Sequence, residues 1–457
     1  MTTNGDVSFW YTQSGLPACR AALDGDTTSD VAIVGAGYTG LWAAYYLKKA
    51  RPDLRIAILE SRFAGFGASG RNGGWLTNSI TGGRDQYLKS HGRDVVARFQ
   101  RLLNHTVDEV IAIAAAEGID AGFHKGGELN VARNPAQLAR LRSLASAEAK
   151  WPESGATLLS AQQTDERVGI SGVLGSLHQP HAARIHPAKL VRGLARTVEK
   201  LGVRIYEDTK VTEIRPHLAT TDKGDVQAAY ILRATEGFTA NLRGFHRQWL
   251  PMNSSMIVTE PLSDGIWEEL GWSNLELVGD MAHAYMYAQR TTDNRIALGG
   301  RGVPYRFGSA IDSDGSTHPS TILKLTALLH DMFPATRQSK VEHAWSGVLG
   351  VPRDWKATVG LDRSTGLGWA GGYVGTGVTA TNLAGRTLRD LLLGADSELT
   401  AMPWVNRTVR KWEMEPARWI AVSALYRAYY AADRAENSRL NSTSWVAKTA
   451  DLISGRT

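Results

Sequence analysis

The most constraining stretch of the 457-residue chain is a short apolar run, Val31-Ala-Ile-Val34, that passes directly into Gly35-Ala-Gly37-Tyr-Thr-Gly40. A continuous run of this length, closed by a glycine turn, predicts a strand buried on both faces of a parallel sheet. Leu41-Trp-Ala-Ala-Tyr-Tyr-Leu47 predicts a helix extending toward Pro52, and Leu54-Arg-Ile-Ala-Ile-Leu59 a second buried strand ending at Glu60.

Strand, glycine turn, helix and strand in this order make the phosphate-binding unit of a dinucleotide-binding fold, and each part has a mechanical job. Gly35 permits the tight turn, Gly37 lets backbone approach a pyrophosphate, and Gly40 lets the helix pack closely on the sheet. Tyr38 and Thr39 open that helix, whose free amides and macrodipole favour phosphate. Glu60, 20 residues after Gly40, can accept hydrogen bonds from a ribose diol and would repel a 2′-phosphate. The unit alone does not separate NAD from FAD.

The remaining pattern asks for more than one domain. From about 87 to 151 it is helical, notably 94–116 and 135–150. A helix over 187–201 precedes strands at 203–206 and 211–214, which resume the first sheet. Residues 245–345 alternate strand-like runs with turns and predict a separate antiparallel sheet. A strand at 366–372 then leads through glycine into a helix from Thr379 to Leu393, ended by Gly394. With 43% hydrophobic residues, two or three cores can be filled. The single cysteine, Cys19, excludes an internal disulfide and a cysteine-based zinc site, and suits a reducing compartment, so cytoplasm is the expected location. Neither a secretion signal nor an apolar run of about 18 residues is found, so no transmembrane segment is expected. The net charge of +6 is mild for this length, and no nucleic-acid partner is expected.

The stretch 30–75, with Gly65-Phe-Gly-Ala-Ser-Gly-Arg-Asn-Gly-Gly74, resembles the FAD-dependent amine and amino-acid oxidases of the D-amino-acid oxidase and sarcosine oxidase superfamily, and is most similar to its gamma-glutamylputrescine oxidase group. The resemblance continues through Ile185-His-Pro187, Ala234-Thr-Glu-Gly237, Val258-Thr-Glu-Pro-Leu262, Ile296-Ala-Leu-Gly-Gly-Arg301 and Gly371-Gly-Tyr-Val-Gly-Thr-Gly377, covering 30 to about 395. It implies an α/β fold in which an FAD-binding Rossmann-like domain of the glutathione-reductase type is joined to a substrate domain built on an antiparallel sheet plus helices. The implied division is 1–29 as an N-terminal extension, 30–95, 180–244 and 346–395 as the discontinuous FAD domain, 96–179 and 245–345 as the substrate domain, and 396–457 as a helical tail.

By the same resemblance, Gly35, Gly37, Tyr38, Thr39, Gly40 and Glu60 hold the ADP half of FAD, with Ser61, Arg62 and Val211 beside the adenosine. Ser69, Gly70, Arg71, Asn72, Gly73 and Gly74 line the pyrophosphate, ribityl and ring. Gly237, Gly372, Tyr373, Gly375, Thr376 and Gly377 belong to the segments that close over the cofactor. Two departures stand out. Many relatives carry histidine where this chain has Thr376, and some attach FAD through a cysteine in the substrate half, where this chain has none; non-covalent FAD is therefore expected.

The resemblance implies hydride transfer from the carbon of a C–N bond to flavin, then hydrolysis of the imine, with O2 or another electron acceptor reoxidising the flavin. The substrate would be a small amine: a polyamine derivative, an N-methyl amino acid, a short amino acid or an aminophosphonate. Trp75, Tyr285, Tyr287, Trp345 and Tyr373 are candidates for an aromatic wall that holds it, each weighed against ordinary core packing. Arg301 and Arg290 could pair with an anionic group of the substrate, or with surface acids. His178, His181 and His186 fit no zinc spacing, so no metal is expected; His186 is expected to cap the helix after Pro187. The tail, with Trp404, Trp412, Trp419 and Trp445, either packs on the body or contacts a membrane or partner. Two alternatives stand beside the amine oxidase: a nicotinamide-dependent dehydrogenase and a tRNA-modifying flavoprotein. Oligomeric state is not legible.

Overall fold

Apolar continuity puts the strand Thr27–Val34 at the centre of a parallel layer, where Val31, Ala32, Ile33 and Val34 are at most 3% exposed. Burying a side chain of this kind contributes about 1.5–3 kcal/mol. The structure is a computed structural model that describes residues 2–12, 15–300, 302, 304–311, 314–438 and 442–454, without side chains for 452–454. Ile56–Leu59 and then Arg204–Tyr206 flank the central strand on one side, Asp225–Arg233 and then Leu367–Gly371 on the other, all parallel. Val211–Arg215, Leu218–Thr221 and Thr358–Asp362 add antiparallel edges and complete eight strands.

The helix Tyr38–Ala50 leaves the glycine turn and packs against the helices Gly377–Leu393 and Pro187–Lys200. Its close approach to the sheet depends on Gly40, where a Cβ would stand 2.1 Å from the carbonyl oxygen of Gly35. Gly394, at φ 73°, ends the helix Gly377–Leu393 as the sequence predicts.

The second layer is a mixed sheet of nine strands in the order Thr3–Asn4, Val341–Val351, Leu250–Thr259, Ile296–Gly300, Met286–Arg290, Leu277–Asp280, Glu128–Ala132, Gly175–Gln179, Thr157–Ser160. It is antiparallel except where Thr3–Asn4 joins Val341–Val351 and Leu277–Asp280 joins Glu128–Ala132. Two differences from the sequence reading matter for the site. The 87–151 stretch is not helical throughout: the helices Asp85–Ala116 and Pro135–Glu148 bracket the strand Glu128–Ala132. Leu129 and Val131 enter the core while Glu128 and Asn130 line a cavity, an alternation only five residues long and hidden between two helical patterns. Within the N-terminal stretch, in turn, Thr3–Asn4 adds a strand to the sheet, and Phe9, Trp10 and Tyr11 are at most 4% exposed.

Of the two readings of the tail, packing on the body is the one observed. Trp412, Tyr426 and Tyr429 form a core with Leu250, Met252 and Val351, while Trp419 and Trp445 remain exposed. Among the described residues no helix is long and apolar enough to cross a membrane.

Candidate active site

Two cavities share the lining residues Ala68, Asn72, Leu349, Gly375 and Val378 and so lie side by side between the sheets. The first runs along the carboxyl ends of the parallel strands, where open α/β sheets bind ligands. Gly35, Gly37, Tyr38 and Thr39 line it from the glycine turn, and Glu60 and Ser61 from the end of the second strand. Ser69 and Asn72 line it from the 65–74 loop, and Tyr373, Gly375 and Gly377 from the 371–377 loop, with Val211 at the adjoining edge. Two glycine loops some 300 residues apart in sequence thus meet across one space.

Local chemistry explains the cradle. Gly35 holds φ 106°, and a Cβ there would lie 2.7 Å from the Ala234 carbonyl oxygen; one on Gly37 would lie 2.9 Å from Ser69 Oγ. Tyr38 N donates to Ser69 Oγ at 2.8 Å, and Thr39 Oγ1 and the Tyr373 hydroxyl are 3.1 Å apart. Glu60 accepts from the amides of Ala36 and Arg62 at 2.9 and 3.1 Å. Burial raises its pKa, with these bonds opposing the rise. A carboxylate beside a helix N-terminus and a glycine cradle on the far wall fit a dinucleotide with a flat ring.

Six further residues assigned by the resemblance do not line this cleft. Gly40 lies under Gly35, Gly70 under the Tyr11 hydroxyl, Gly74 against Gln289, Gly237 against Val348 and Gly372 against Pro352, while Arg62 stacks on Phe66 at 5.1 Å. Arg71, Gly73 and Thr376 line the second cavity.

That second cavity receives Trp75, Tyr285 and Tyr287. Trp75 and Tyr287 meet edge to face at 6.1 Å, and Ser254 Oγ lies 2.8 Å from the Tyr287 hydroxyl. The aromatic wall needs two corrections. Trp345 is fully buried behind the 65–74 loop, where its Nε1 donates to the Arg71 carbonyl oxygen at 2.9 Å, and Tyr373 belongs to the first cavity. Arg290 also points elsewhere, lying over Trp267 at 3.9 Å and donating to Asn294. Arg301 lies outside the described residues. His186 caps the helix Pro187–Lys200, with Nδ1 accepting from Lys189 N at 3.3 Å; burial lowers its pKa to about 4.

Sequence reasoning missed the groups that hold the loops and colour the second cavity. Glu236 accepts the amides of Gly372, Tyr373 and Gly350 at 2.8, 3.2 and 3.1 Å; burial raises its pKa to about 7 against these bonds. Ser8 and Trp10 donate to the carbonyls of Gly70 and Asn72. Glu128 and Asp280 line the second cavity, and burial raises them to about 7 and about 6. Only the Thr-Glu-Gly fragment and the aromatic Phe9-Trp-Tyr11 run offered a signal. Among the described residues, His283, Asp433 and Glu436 bring ligand-type atoms within 4.8 Å of one another, but Arg140 Nη1 already pairs with Glu436 at 2.8 Å and supplies the positive charge there.

The fold and cleft define a dinucleotide-dependent enzyme of the two-layer kind, and comparison with known proteins gives the family. Residues 30–391 match the model of the FAD dependent oxidoreductase (DAO) family, and the chain belongs to that family. It is 32% identical over 399 residues to gamma-glutamylputrescine oxidoreductase of Escherichia coli, covering 86% of this chain and 90% of that protein. It is 22% identical to glycine oxidase of Geobacillus kaustophilus, over 82% and 96% of the two chains. The crystal structure of that glycine oxidase superposes with a TM-score of 0.69 at 21% identity, over 83% of this chain and 99% of the other. L-proline dehydrogenase from P. horikoshii gives a TM-score of 0.69 at 16% identity, over 84% and 98%. The cofactor is FAD, which removes the nicotinamide-dependent alternative.

Proposed function

We propose that this chain oxidises the C–N bond of a small cationic amine, with non-covalent FAD in the first cavity and the amine in the second. The observation that carries this reading is the adjacency of the two spaces: a glycine-lined cleft shares Asn72 and Gly375 with a chamber walled by Trp75, Tyr285 and Tyr287. Gly35, Gly37 and Glu60 hold the adenosine and pyrophosphate, while Asn72, Gly73, Gly375 and Thr376 approach the ring. FAD supplies the hydride acceptor, and the resulting imine hydrolyses to an aldehyde or keto product plus ammonia or amine.

The chamber's charge favours a polyamine derivative over a simple amino acid. Both arginines that line it are engaged, Arg140 with Glu436 and the Met281 carbonyl, Arg71 with the Phe66 carbonyl. Glu128 and Asp280 thus face the space as acids, and their raised pKa values place them to attract an ammonium and take up its proton, leaving the neutral amine that hydride transfer requires. The aromatic faces attract the same cation. Of the relatives' names, that of the 32% identical gamma-glutamylputrescine oxidoreductase fits this class, while the 22% identical glycine oxidase is named for a simple amino acid.

Anaerobic mixing of the FAD-loaded protein with polyamines, acylated diamines, N-methyl amino acids, short amino acids and aminophosphonates tests the reading. Polyamines or acylated diamines should bleach the flavin fastest, and air should restore the colour with H2O2 formed. A flavin that no amine bleaches sinks the proposal; recovery only with a dye identifies a dehydrogenase.

A further inference from the structure

The family match ends at residue 391, yet the chain beyond it reaches the second cavity. The segment 281–285 forms one side of that chamber, with Met281, Ala282, His283 and Tyr285 all in its lining. Its opposite side rests on the helix Ala417–Ser438. Asp433 Oδ1 accepts from His283 N at 2.8 Å and Asp433 Oδ2 from Ala284 N at 3.0 Å, so one carboxylate grips two consecutive amides. His283 Nε2 donates to Glu436 Oε1 at 2.9 Å, and the His283 ring stacks on Tyr429 with planes 8° apart. Arg140 bridges the two sides, donating from Nε and Nη2 to the Met281 carbonyl at 3.0 and 2.7 Å and pairing through Nη1 with Glu436 at 2.8 Å. Glu436 also accepts from Ser444 N at 2.8 Å, which fixes the start of the helix Trp445–Ser454; from that helix Asp451 lines the chamber and accepts from the Tyr429 hydroxyl at 2.6 Å.

We infer that the two C-terminal helices are part of the substrate site: Asp433 and Glu436 are positioning residues that set the 281–285 segment, and with it the shape of the amine chamber. This rests on the reading of the second cavity as the amine site. The energetics support an ordered wall. Burial opposes ionisation of Glu436, but the bonds from His283, Ser444 and Arg140 outweigh it and hold its pKa at about 2. A hydrogen bond to a charged group is stronger than one between neutral partners, and a buried donor left without its acceptor carries its full desolvation cost. Losing Asp433 orphans two adjacent amides of a segment whose other face meets substrate.

The test uses full-length, FAD-loaded protein and the amine that bleaches the native flavin fastest. Asp433→Ala should raise KM at least about tenfold while kcat changes less than about threefold and FAD content is unchanged. Asp433→Asn, which keeps one acceptor, should fall between, and Glu436→Gln should follow the same pattern. In the same proteins, amide hydrogen exchange across 281–285 should accelerate in step with KM. Faster exchange with KM unchanged would show a purely structural latch and overturn the inference; so would unchanged exchange and KM. If Asp433→Ala does not fold, the Asp433→Asn and Glu436→Gln pair carries the same decision. A native enzyme that no amine bleaches refutes the functional reading instead, a result separable from failure of the clamp.

Discussion

The two glycine loops that meet across the cofactor cleft are held in opposite ways. The 65–74 loop is held by its carbonyls: Tyr11, Arg71, Ser8, Trp345, Trp10 and Gln289 donate to the oxygens of Gly65, Phe66, Gly70, Arg71, Asn72 and Gly73. The 371–377 loop is held by its amides, through the single carboxylate of Glu236. Their strain differs as well. Positive φ in the first loop falls only on Gly65 and Gly74, whereas the second carries Val374 at φ 52°, a conformation costly for a β-branched residue. The first loop is spread over many neutral donors and one arginine, so no titration below the arginine range loosens it. The second depends on one group with a pKa near neutrality.

The largest effects should come from the first loop and the turn it faces. Gly37→Val places branched carbons where even a Cβ lies 2.9 Å from Ser69 Oγ, and Arg71→Ala removes a buried side chain stacked on Phe66 at 4.4 Å. Both variants should purify without flavin and fail to reconstitute; absorbance at 450 nm, normalised to protein, measures this, and full occupancy in both would refute the placement of the loops. Trp10→Ala comes next. A truncation of this size in a core costs about 3–5 kcal/mol, and it also strips the Asn72 carbonyl of its donor, so thermal unfolding should shift down and FAD should bind more weakly. Trp10→Phe, which keeps most of the volume, should lose only about 1–2 kcal/mol, separating bond from packing.

That contrast also explains what was legible in the sequence. Gly35, Gly37, Gly40 and Glu60 could be read because their roles follow from backbone geometry at fixed spacing after a buried strand. The two glycine loops could be found by resemblance, and the helix Gly377–Leu393, read from Thr379 onward, by its closing Gly394. What could not be read were the residues that hold the loops. Ser8, Trp10 and Tyr11 lie more than 50 positions from the carbonyls they serve, and no periodicity links them. Trp345 enters the expected aromatic wall through the family resemblance of its segment alone; the side chain points behind the loop, a choice of strand face that a one-residue change of register would reverse. Glu128 was missed because its strand was hidden between helices, and Arg140 and Asp433 because their partners lie far away in sequence.

Glu236→Gln tests whether the second loop is the titratable one. The carboxyl moves from an ordinary 4.5 in the unfolded chain to about 7 in the folded one, so folding takes up a proton between those values. Its contribution to stability is therefore fully present below about 4.5 and lost as pH rises through about 7, a swing on the order of 3 kcal/mol. Glutamine does not titrate, while every other group titrates equally in both proteins. With FAD removed from both, the native chain should gain on Glu236→Gln as pH falls from 8 to 5, seen as a widening difference in Tm; a constant difference would mean that Glu236 does not titrate in this window. The equivalent change in the first loop, Trp345→Phe, should give a difference that does not vary with pH.

The smallest effect isolates the far end of the second loop, where the anchor is neutral. Thr376 Oγ1 lies 2.7 Å from Thr81 Oγ1 and donates to the Tyr373 carbonyl at 2.9 Å, tying the loop to the segment that follows Trp75. Neither hydroxyl ionises in the accessible range, so this end should behave like the first loop and unlike the Glu236 end. Thr376→Val keeps the shape and removes both bonds, at about 1–2 kcal/mol; Thr376→Ser keeps the hydroxyl and should recover most of that. Because Thr376 also lines the second cavity, the Val variant should shift the visible flavin band by altering polarity near the ring, with FAD still bound. If the stability cost of Thr376→Val instead follows the Glu236 titration between pH 5 and 8, the two anchors act as one unit. The 371–377 loop would then be a single pH-dependent clamp rather than a titratable hinge with a neutral tip.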